Sequence, residues 1–277
     1  MHGEDRKGVI IATGAQGRLG RLICGLLKSQ RTVIATARRP PADLILQGDG
    51  PLPALPRCHA VLALWGGTSN DPAKARENIA LAHRSRAVAE ASGARLVIHL
   101  SSAAVYGPGL DLRETDALHP LGGYGRAKAQ MEREIAGFDS DQARHVCLRL
   151  ANVVGADSLA PALLGEGPVR LDRFPDGRGP LRSYIAPGDL ARIVLALTDL
   201  APETLPAVIN VAASLPVSMA ALARAAGHDI TWVPAPQTAV QEVGLNTERL
   251  QALLPAQHLH RTAPDMIADW RHLRSGG

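Results

Sequence analysis

The amino-acid sequence predicts a doubly wound α/β fold, in which helices cover both faces of a mostly parallel sheet. Short apolar runs such as residues 8–13 and 95–100 alternate with longer segments in which apolar residues follow helical periodicity. Strands that alternate with helices pair in parallel, and uninterrupted apolar runs indicate strands buried on both faces. Only 3% of the residues are aromatic. The core of the fold must therefore be aliphatic.

The first half of the chain contains most of this pattern. A strand is predicted over residues 8–13, then a glycine-rich turn, then a helix over residues 19–29. The next predicted elements are strands at 32–36, 44–46 and 60–64, a helix at 73–92, a strand at 95–100, a helix at 124–136 and a strand at 146–150. Residues 1–155 are therefore predicted to form the main domain.

The pattern becomes less regular after Asn152. Helices are predicted at 188–199, 217–226 and 265–273, with one strand at 208–211. We expect residues 156–277 to form a smaller, loop-rich lobe, with a return to the main sheet near residues 180–212. Such a lobe would lie over the carboxyl ends of the strands, where doubly wound folds bind their ligands.

Charge and composition argue against nucleic-acid binding. The formal net charge is +4, but the Lys and Arg residues are dispersed along the chain instead of forming a cluster. A platform for single-stranded nucleic acid would also need aromatic faces on which bases stack, and this chain has few. We therefore expect no nucleic-acid partner.

The cysteines and apolar segments bear on the compartment of the protein. Cys24, Cys58 and Cys147 are odd in number and far apart, which is typical of reduced, buried thiols in a cytosolic protein. The first residues include acids and no apolar stretch, and no run of about 18 apolar residues occurs. The expectation is a cytoplasmic protein with no membrane partner.

Three glycines stand between the first predicted strand and the first predicted helix. Gly14, Gly17 and Gly20 occur in the segment GAQGRLG. Glycines at such a turn let the backbone approach a pyrophosphate, while the helix N-terminus offers N–H groups and a positive dipole end. The position of the turn within a strand–helix–strand unit favours dinucleotide binding over a plain connection.

The end of the second predicted strand bears on the choice of dinucleotide. An acidic residue there binds the ribose 2′-hydroxyl of NAD, whereas this chain has Arg38 and Arg39 and no acid. Guanidinium groups suit a 2′-phosphate, so NADP is favoured and NAD remains an alternative. Arg18, inside the glycine turn, is a third candidate for the phosphate, and ordinary solvated arginines are the competing interpretation.

A tyrosine and a lysine lie four residues apart near the start of a predicted helix. This spacing puts Tyr124 and Lys128 on one face. Acid/base work by a phenol near neutral pH requires its pKa to fall by roughly 3 units, about 4 kcal/mol, which neighbouring positive charge can supply. Ser101 and Ser102 directly follow the strand at 95–100, so a hydroxyl emerges at the carboxyl end of the sheet. Such a hydroxyl could orient a substrate carbonyl towards the tyrosine.

Taken together, these motifs resemble the extended short-chain dehydrogenase/reductase superfamily, of the nucleotide-sugar epimerase, dehydratase and reductase type. The resemblance depends on five segments in the family's order, namely GAQGRLG from Gly14, SSAAVYG from Ser101, YGRAK from Tyr124, LRLANVVG from Leu148 and RSYIAPGDLA from Arg182. The family has a Rossmann fold, so the resemblance implies a dinucleotide-binding domain at residues 1–155 and a substrate lobe at 156–277.

The resemblance implies a role for each matched residue. Ser102 would be the catalytic hydroxyl, Tyr124 the general acid/base, and Lys128 the residue that binds the nicotinamide ribose and lowers the tyrosine pKa. The residues expected to contact the cofactor are Gly14, Gln16, Gly17, Arg18, Leu19, Gly20, Arg38, Arg39, Leu64, Trp65, Gly66, Ser101, Tyr124 and Lys128.

Further matched positions concern the substrate and the supporting structure. Ser102, Asn152 and Arg182 fall where such proteins contact their substrate, a sugar or nucleotide sugar. A loop-capping amide is the competing interpretation for Asn152, and a surface charge is the one for Arg182. Asn78 also matches a family asparagine, for which a structural role is favoured.

Two segments depart from the family pattern. After the fourth strand the family often has a His-x-Ala-Ala type segment, where this chain has Leu64, Trp65, Gly66, Gly67 and Thr68. After Arg182 the usual His-Val-x-Asp is replaced by residues 186–189, APGD, and the chain is shorter than many nucleotide-sugar enzymes. The nucleotide half of the substrate is therefore the least supported part of the resemblance.

Other sites are disfavoured by the residue pattern. His258 and His260 lack neighbouring cysteines or acids at zinc spacing, so no metal is expected, and no G-x-S-x-G segment indicates a serine hydrolase. Asp111, Glu114 and Asp116 are interpreted as an acidic surface loop.

The favoured function is an NADP-dependent oxidoreductase that transfers a hydride at a hydroxyl or carbonyl carbon. Within the same family, an epimerase or dehydratase that retains its cofactor is the first alternative. A non-catalytic NADP-binding regulatory or assembly protein is the second, although it would not need Ser102, Tyr124 and Lys128 together. A homodimer is one assembly that the resemblance allows.

Overall fold

A computed structural model describes residues 8–47, 49–67, 72–138, 142–257, 259 and 262–275. The elements of the first half are β1 (Ile10–Thr13), α1 (Arg18–Lys28), β2 (Val33–Ala37), β3 (Leu44–Ile45), β4 (Ala60–Ala63), α2 (Pro72–Ser92), β5 (Leu96–Ser102), β6 (Gly109–Leu112), α3 (Gly123–Ala136) and β7 (Arg144–Leu150).

The second half contains more elements than its sequence predicts. They are β8 (Asn152–Val153), α4 (Ala160–Leu164), β9 (Val169–Arg173), β10 (Leu181–Arg182), β11 (Tyr184–Ile185), α5 (Pro187–Thr198), β12 (Val208–Val211), β13 (Val217–Ser218), α6 (Met219–Ala225), β14 (Ile230–Pro234), β15 (Glu242–Leu245), α7 (Glu248–Leu253) and α8 (Ala263–Ser275). Among the residues that the structure describes, no helix is both long and apolar enough to cross a membrane.

The central sheet has seven strands in the order β12-β7-β5-β4-β1-β2-β3. Every pair is parallel. The helices α1 and α5 pack against each other, and α2 packs against α3. The expected doubly wound α/β fold is confirmed. The strand order reverses between β1 and β4, so the turns that follow these two strands meet at the carboxyl edge, where such sheets bind ligands.

The core of the sheet is aliphatic, as its composition predicts. The largest cluster of buried side chains consists of Ile, Leu, Val and Ala with the single cysteine Cys24. Cys24, Cys58 and Cys147 are all buried free thiols. Parallel strands are covered on both faces, and their buried residues in β1 and β4 form uninterrupted apolar runs.

A second group of strands lies outside the central sheet. The strands β13, β10, β15 and β6 form a four-stranded sheet, and two further pairs are β11 with β8 and β14 with β9. These strands are short, and several are only two residues long, so apolar periodicity gives little signal for them. The segment β6 belongs to the first half of the chain but pairs with β15 near its end. The strand β12 is an edge strand of the central sheet, and α5 packs against α1, while the division into a main domain and a smaller lobe stays a prediction.

Candidate active site

A glycine-rich turn joins β1 to α1. Gly14 has φ of +68°, and a Cβ atom there would lie 2.7 Å from the Trp65 backbone, so a side chain is excluded both by conformation and by space. The N–H of Gly17 closes the turn by donating to the Gly14 carbonyl at 2.9 Å. The first turn of α1 has no side-chain cap and no acidic residue, so its N-terminus favours an anion. Leu19 packs against the core, and Gly20 is buried.

The segment after β2 lies beside this turn. The side-chain amide of Gln16 donates to the carbonyls of Arg39 at 2.8 Å and Pro41 at 2.9 Å. Arg38 and Arg39 are exposed, and the Arg38 guanidinium forms an ion pair of 2.9 Å with Glu77 of α2. The two candidate phosphate-binding arginines are thus close to the glycine turn, and one of them already has a carboxylate partner.

The loop after β4 forms the opposite wall of the turn. Leu64 N–H donates to the Thr13 carbonyl at 3.1 Å, and the Trp65 indole donates to Ser85 Oγ at 2.9 Å. Buried Asn78 accepts from Gly67 N–H at 3.1 Å, which is the structural role expected of it. Thr68, the last residue of the departing segment, lies outside the described residues.

Gly66 connects this loop to the catalytic helix. Its φ is +146°, and a Cβ atom there would lie 2.8 Å from Asn78 Oδ1 and 3.2 Å from Lys128 Nζ. A larger residue at this position would therefore displace the side chain of Asn78 or that of Lys128. The loop that contacts the glycine turn also contacts the lysine of the YGRAK segment.

Ser102 and Tyr124 meet at the carboxyl end of the sheet. Ser102 is the last residue of β5, Tyr124 is the second residue of α3, and their side chains are hydrogen-bonded. Burial raises the pKa of Tyr124, while the Ser102 hydrogen bond and the positive charge of Arg18 act in the opposite direction. The phenol is therefore protonated at neutral pH.

Lys128 is buried below this pair. Its ammonium donates to the Leu100 carbonyl at 2.8 Å. Burial lowers the pKa of Lys128 to about 8, and Cys147 and Glu132 act against this effect. The cation that lowers the pKa of Tyr124 in this structure is Arg18, so the expected effect of Lys128 on the tyrosine stays a prediction.

The Ser101 hydroxyl is used inside the protein. Ser101 is buried, and its hydroxyl donates to Glu132 of α3. Ser102 and Ser101 both bind α3, and their partners differ because Tyr124 lies at the start of this helix and Glu132 lies eight residues later. Cofactor contact by the Ser101 side chain therefore has no support from its hydrogen bonding.

Asn152 and Arg182 lie on the short strands of the second half. Asn152 is hydrogen-bonded to the Tyr184 phenol, which donates to Asp157 at 3.0 Å. Arg182 donates to the carbonyl of Val240 at 2.5 Å and to that of Gln241 at 2.7 Å. It is half-buried instead of being a surface charge, and burial lowers its pKa. Both residues thus form contacts within the second half of the chain, and their substrate roles stay predictions.

The acidic cluster is not wholly a surface loop. Asp111 and Asp116 are exposed, but the Glu114 side chain is only 5% exposed and accepts from the N–H of Asn210 on β12 at 2.9 Å. The interpretation is therefore wrong for Glu114, because its partner lies on a strand almost a hundred residues later. Within the described ranges no group of His, Cys, Asp and Glu could hold a metal ion, and His258 and His260 lie outside those ranges.

The contacts join two predicted groups into one site. Gly14 touches the Trp65 backbone, Gly66 lies next to Lys128, and the charge of Arg18 acts on Tyr124. The sequence does not predict a role for Glu132 and Arg149, which form a buried ion pair of 2.8 Å behind this site. The signal for Glu132 was a charge four residues after Lys128, on the face of α3 that packs against the sheet.

Comparisons with known proteins identify the family of this chain. A family model described as the NAD dependent epimerase/dehydratase family matches residues 10–212. A relative from Kitasatospora kifunensis, dTDP-6-deoxy-L-talose 4-dehydrogenase (NAD(P)(+)), is 31% identical over 226 residues, which are 74% of this chain and 70% of the relative.

Solved structures share the fold. MoeE5 in complex with UDP-glucuronic acid and NAD superposes with a TM-score of 0.78 at 22% identity, covering 97% of this chain and 100% of MoeE5. UDP-glucose 4-epimerase from Thermotoga maritima has a TM-score of 0.74 at 20% identity, with 97% and 99% of the two chains covered.

These findings confirm several expectations from the sequence. The resemblance to epimerase, dehydratase and reductase enzymes is confirmed, as are the enzyme class and the dependence on NAD(P). The glycine turn fits a dinucleotide. The Trp65 backbone, in the loop after β4, excludes a side chain at Gly14, and the bare backbone of the turn lets a pyrophosphate approach closely. With its family model covering most of the sheet and its relative covering three quarters of the sequence, the chain belongs to the NAD dependent epimerase/dehydratase family.

Proposed function

We propose that this protein is an NADP-preferring oxidoreductase that reduces a carbonyl, or oxidises a hydroxyl, on the sugar of a nucleotide sugar. The observation that supports it best is the hydrogen-bonded pair of Ser102 and Tyr124, with Arg18 of the glycine turn acting on the same phenol. This arrangement brings an acid/base group and a dinucleotide-binding turn to one edge of the sheet.

The cofactor would be held by groups already in contact with one another. The glycine turn and α1 would take the pyrophosphate, Leu64, Trp65 and Gly66 would line the cleft, and Lys128 would donate to the nicotinamide ribose. When bound, the dinucleotide supplies or accepts the hydride. Among the described residues, Lys128 donates to the Leu100 carbonyl at 2.8 Å and to Met131 Sδ at 3.9 Å, and an ammonium carries three N–H groups, so a donor remains for the ribose.

Tyr124 would move the proton in this reaction. Burial keeps its phenol protonated near neutral pH, so it is ready to donate to a substrate carbonyl oxygen during reduction. Ser102 would hold the same oxygen by a hydrogen bond. In the oxidation direction the phenol must first lose its proton, so the charge of Arg18 would matter more there than in reduction.

NADP is favoured over NAD by the end of β2. Arg38 and Arg39 follow this strand, and both are exposed beside the glycine turn. The similar enzyme from Kitasatospora kifunensis is named for both dinucleotides, and the MoeE5 structure contains NAD. Arg38 would exchange Glu77 for the 2′-phosphate, which offers bidentate charge-assisted hydrogen bonds.

A nucleotide sugar is the proposed substrate. The similar dehydrogenase acts, by its name, on a dTDP-sugar, and MoeE5 binds UDP-glucuronic acid. Among the described residues, Arg182 donates to the carbonyls of Leu181, Val240 and Gln241, which leaves two of its five N–H groups for a diphosphate. The Asn152 amide would contact the sugar beside Tyr184.

The experiment combines substrate oxidation with one variant. Wild-type protein is incubated with dTDP-6-deoxy-L-talose and NADP⁺ or NAD⁺, and reduced nicotinamide is followed by its absorbance. We expect Tyr124→Phe to lose about 100- to 10,000-fold in kcat, with NADPH binding nearly unchanged. A Tyr124→Phe protein with full activity would refute the mechanism. Cofactor that copurifies with the protein, with no net change in redox state, would instead indicate an epimerase or dehydratase.

A further inference from the structure

Three consecutive residues at the end of β5 are bound to three residues of α3. The Leu100 carbonyl accepts from Lys128, the Ser101 hydroxyl donates to Glu132, and Ser102 is hydrogen-bonded to Tyr124. The three α3 residues are four positions apart and therefore share one face of the helix. Glu132 is thus the third bond between this helix and the end of this strand.

Glu132 is bound at the same time to the neighbouring strand. Its carboxylate pairs with Arg149 of β7 at 2.8 Å, and both side chains are only 6% exposed. Arg149 lies opposite Ser101 in the parallel pairing of β5 with β7. One carboxylate therefore joins α3 to two adjacent strands at the edge where Ser102 and Tyr124 meet.

The ion pair continues into the second half of the chain. Arg149 Nη1 donates to the Tyr106 hydroxyl at 2.7 Å, and the guanidinium lies 4.8 Å from the centre of the Tyr106 ring. The Tyr106 hydroxyl donates to Asn210 Oδ1 of β12 at 2.7 Å. The polar groups of Glu132, Arg149, Tyr106 and Asn210 thus bind one another, as buried charges require.

Stability alone does not explain such a pair. Replacing a buried ion pair with apolar residues of similar volume is often neutral or stabilising, because desolvation offsets the attraction. A directional network, in contrast, specifies one arrangement of the elements that it joins. Here those elements carry Ser102, Tyr124 and Lys128.

We propose that Glu132 is a positioning residue for the hydride-transfer reaction, which keeps Tyr124 and Lys128 in register with Ser102. This inference rests on the proposed function. It assigns to Glu132 two separable effects, a geometric one through Ser101 and Arg149 and an electrostatic one on Lys128.

The electrostatic effect follows from the groups that face Lys128. They are the His99 imidazole of β5, the Cys147 thiol of β7, the Asn78 amide beside Gly66, and Glu132 itself. Burial lowers the pKa of His99 well below its ordinary value, so this imidazole is neutral at neutral pH, and burial raises the pKa of the Cys147 thiol, which stays protonated. Among these groups Glu132 carries the negative charge, so its loss should lower the pKa of Lys128 below about 8.

The test separates geometry from charge with a set of variants. Glu132→Asp keeps the charge and shortens the side chain. Glu132→Gln removes the charge, and the double variant Glu132→Gln/Arg149→Gln removes it without leaving Arg149 unpaired. Glu134→Gln is the matched control, because Glu134 lies on the same helix and its partner is His83 at the surface. Folding is checked by circular dichroism and thermal unfolding.

The readouts are kcat and KM for dTDP-6-deoxy-L-talose oxidation and the pH dependence of NADPH affinity. We expect Glu132→Asp to lower kcat about 10- to 100-fold, because small misplacements of reacting groups are costly, with little change in KM or in the pH midpoint. We expect the double variant to lose NADPH affinity at a lower pH than wild type, since Lys128 deprotonates earlier. Glu134→Gln should match wild type in both.

Two results would overturn the inference. One is a folded Glu132→Asp protein with wild-type kcat, which decides the matter even if the neutral variants fail to fold. The other is a folded double variant with wild-type kcat and pH midpoint, which would give the pair a structural role only. A wild-type protein that neither binds NADPH nor oxidises the sugar would contradict the proposed function instead, so the two failures are distinguishable.

Discussion

The two sides of the candidate site are built in different ways. On the cofactor side, contacts are made by bare backbone, as where Gly14 meets Trp65 and where Gly66 meets Lys128. On the proposed substrate side, side chains bind one another, as in the hydrogen bonds of Tyr184 with Asn152 and Asp157. The backbone at Gly14 and Gly66, called the backbone cradle below, leaves no room for an added Cβ atom, whereas a network of side chains can be repacked. The cofactor side should therefore be the less tolerant of substitution, and the substrate side the one whose specificity can change.

The largest effect should come from the backbone cradle. In Gly14→Ala, the new Cβ would collide with the Trp65 backbone and the residue would be strained at φ of +68°. We expect NADPH affinity to fall by about 100-fold or more, since the turn must open to relieve the collision. Fluorescence titration of reduced dinucleotide measures it. Gly25→Ala is the control, because a Cβ there meets nothing within 4 Å. Unchanged affinity in Gly14→Ala would contradict the comparison.

A smaller effect is expected at Arg38, where the proposed contact with the cofactor is made by a side chain instead of by backbone. Arg38→Ala should weaken NADPH binding about tenfold relative to NADH, because a charge-assisted hydrogen bond to the phosphate is lost. Glu77→Gln should strengthen NADPH binding, because Arg38 no longer has a competing carboxylate. Arg95→Ala removes another exposed Arg–Glu pair and should leave the ratio unchanged. If all three variants keep the wild-type ratio of NADPH to NADH affinity, Arg38 has no role in cofactor choice.

The smallest effect is expected on the substrate side and concerns pH. Burial raises the pKa of Asp157 above its ordinary value of 3.8, despite hydrogen bonds that act in the opposite direction. Since the folded protein holds this proton more tightly, the stabilisation is present below pH 3.8 and is lost as pH rises through the folded-state pKa. Asp157→Asn should remove this decline in the free energy of unfolding, while NADPH affinity stays unchanged. Urea unfolding at several pH values measures the effect, and parallel curves for the two proteins would contradict it.

The sequence predicts the cofactor side better than the substrate side, and the reason is physical. Gly14 and Gly66 are constrained by local conformation and close approach, so their residue type alone indicates the contact. The central strands are uninterrupted apolar runs, which periodicity detects. Such signals are local in the chain.

The contacts of the second half are not local. The pairing of β6 with β15 joins residues more than a hundred positions apart, and neither strand is an uninterrupted apolar run, since their sequences are GLDL and EVGL. Arg182 resembles a substrate-binding arginine by its position, yet it donates to the carbonyls of Val240 and Gln241. Glu114 likewise finds its partner on β12. These pairings depend on the completed fold, which no single segment encodes.

The position of Trp65 would make the proposed cofactor site observable by fluorescence. The chain has three tryptophans; Trp65 touches the glycine turn, while Trp232 and Trp270 pack near Gly179 and Gly155 in the second half. The Trp65 indole is held by its hydrogen bond to Ser85. Excitation energy absorbed there can pass to a reduced nicotinamide in the cleft, so quenching of tryptophan emission would report occupancy without any label. Trp65→Phe would abolish that signal and leave the emission of the other two indoles as an internal reference in the second half of the chain.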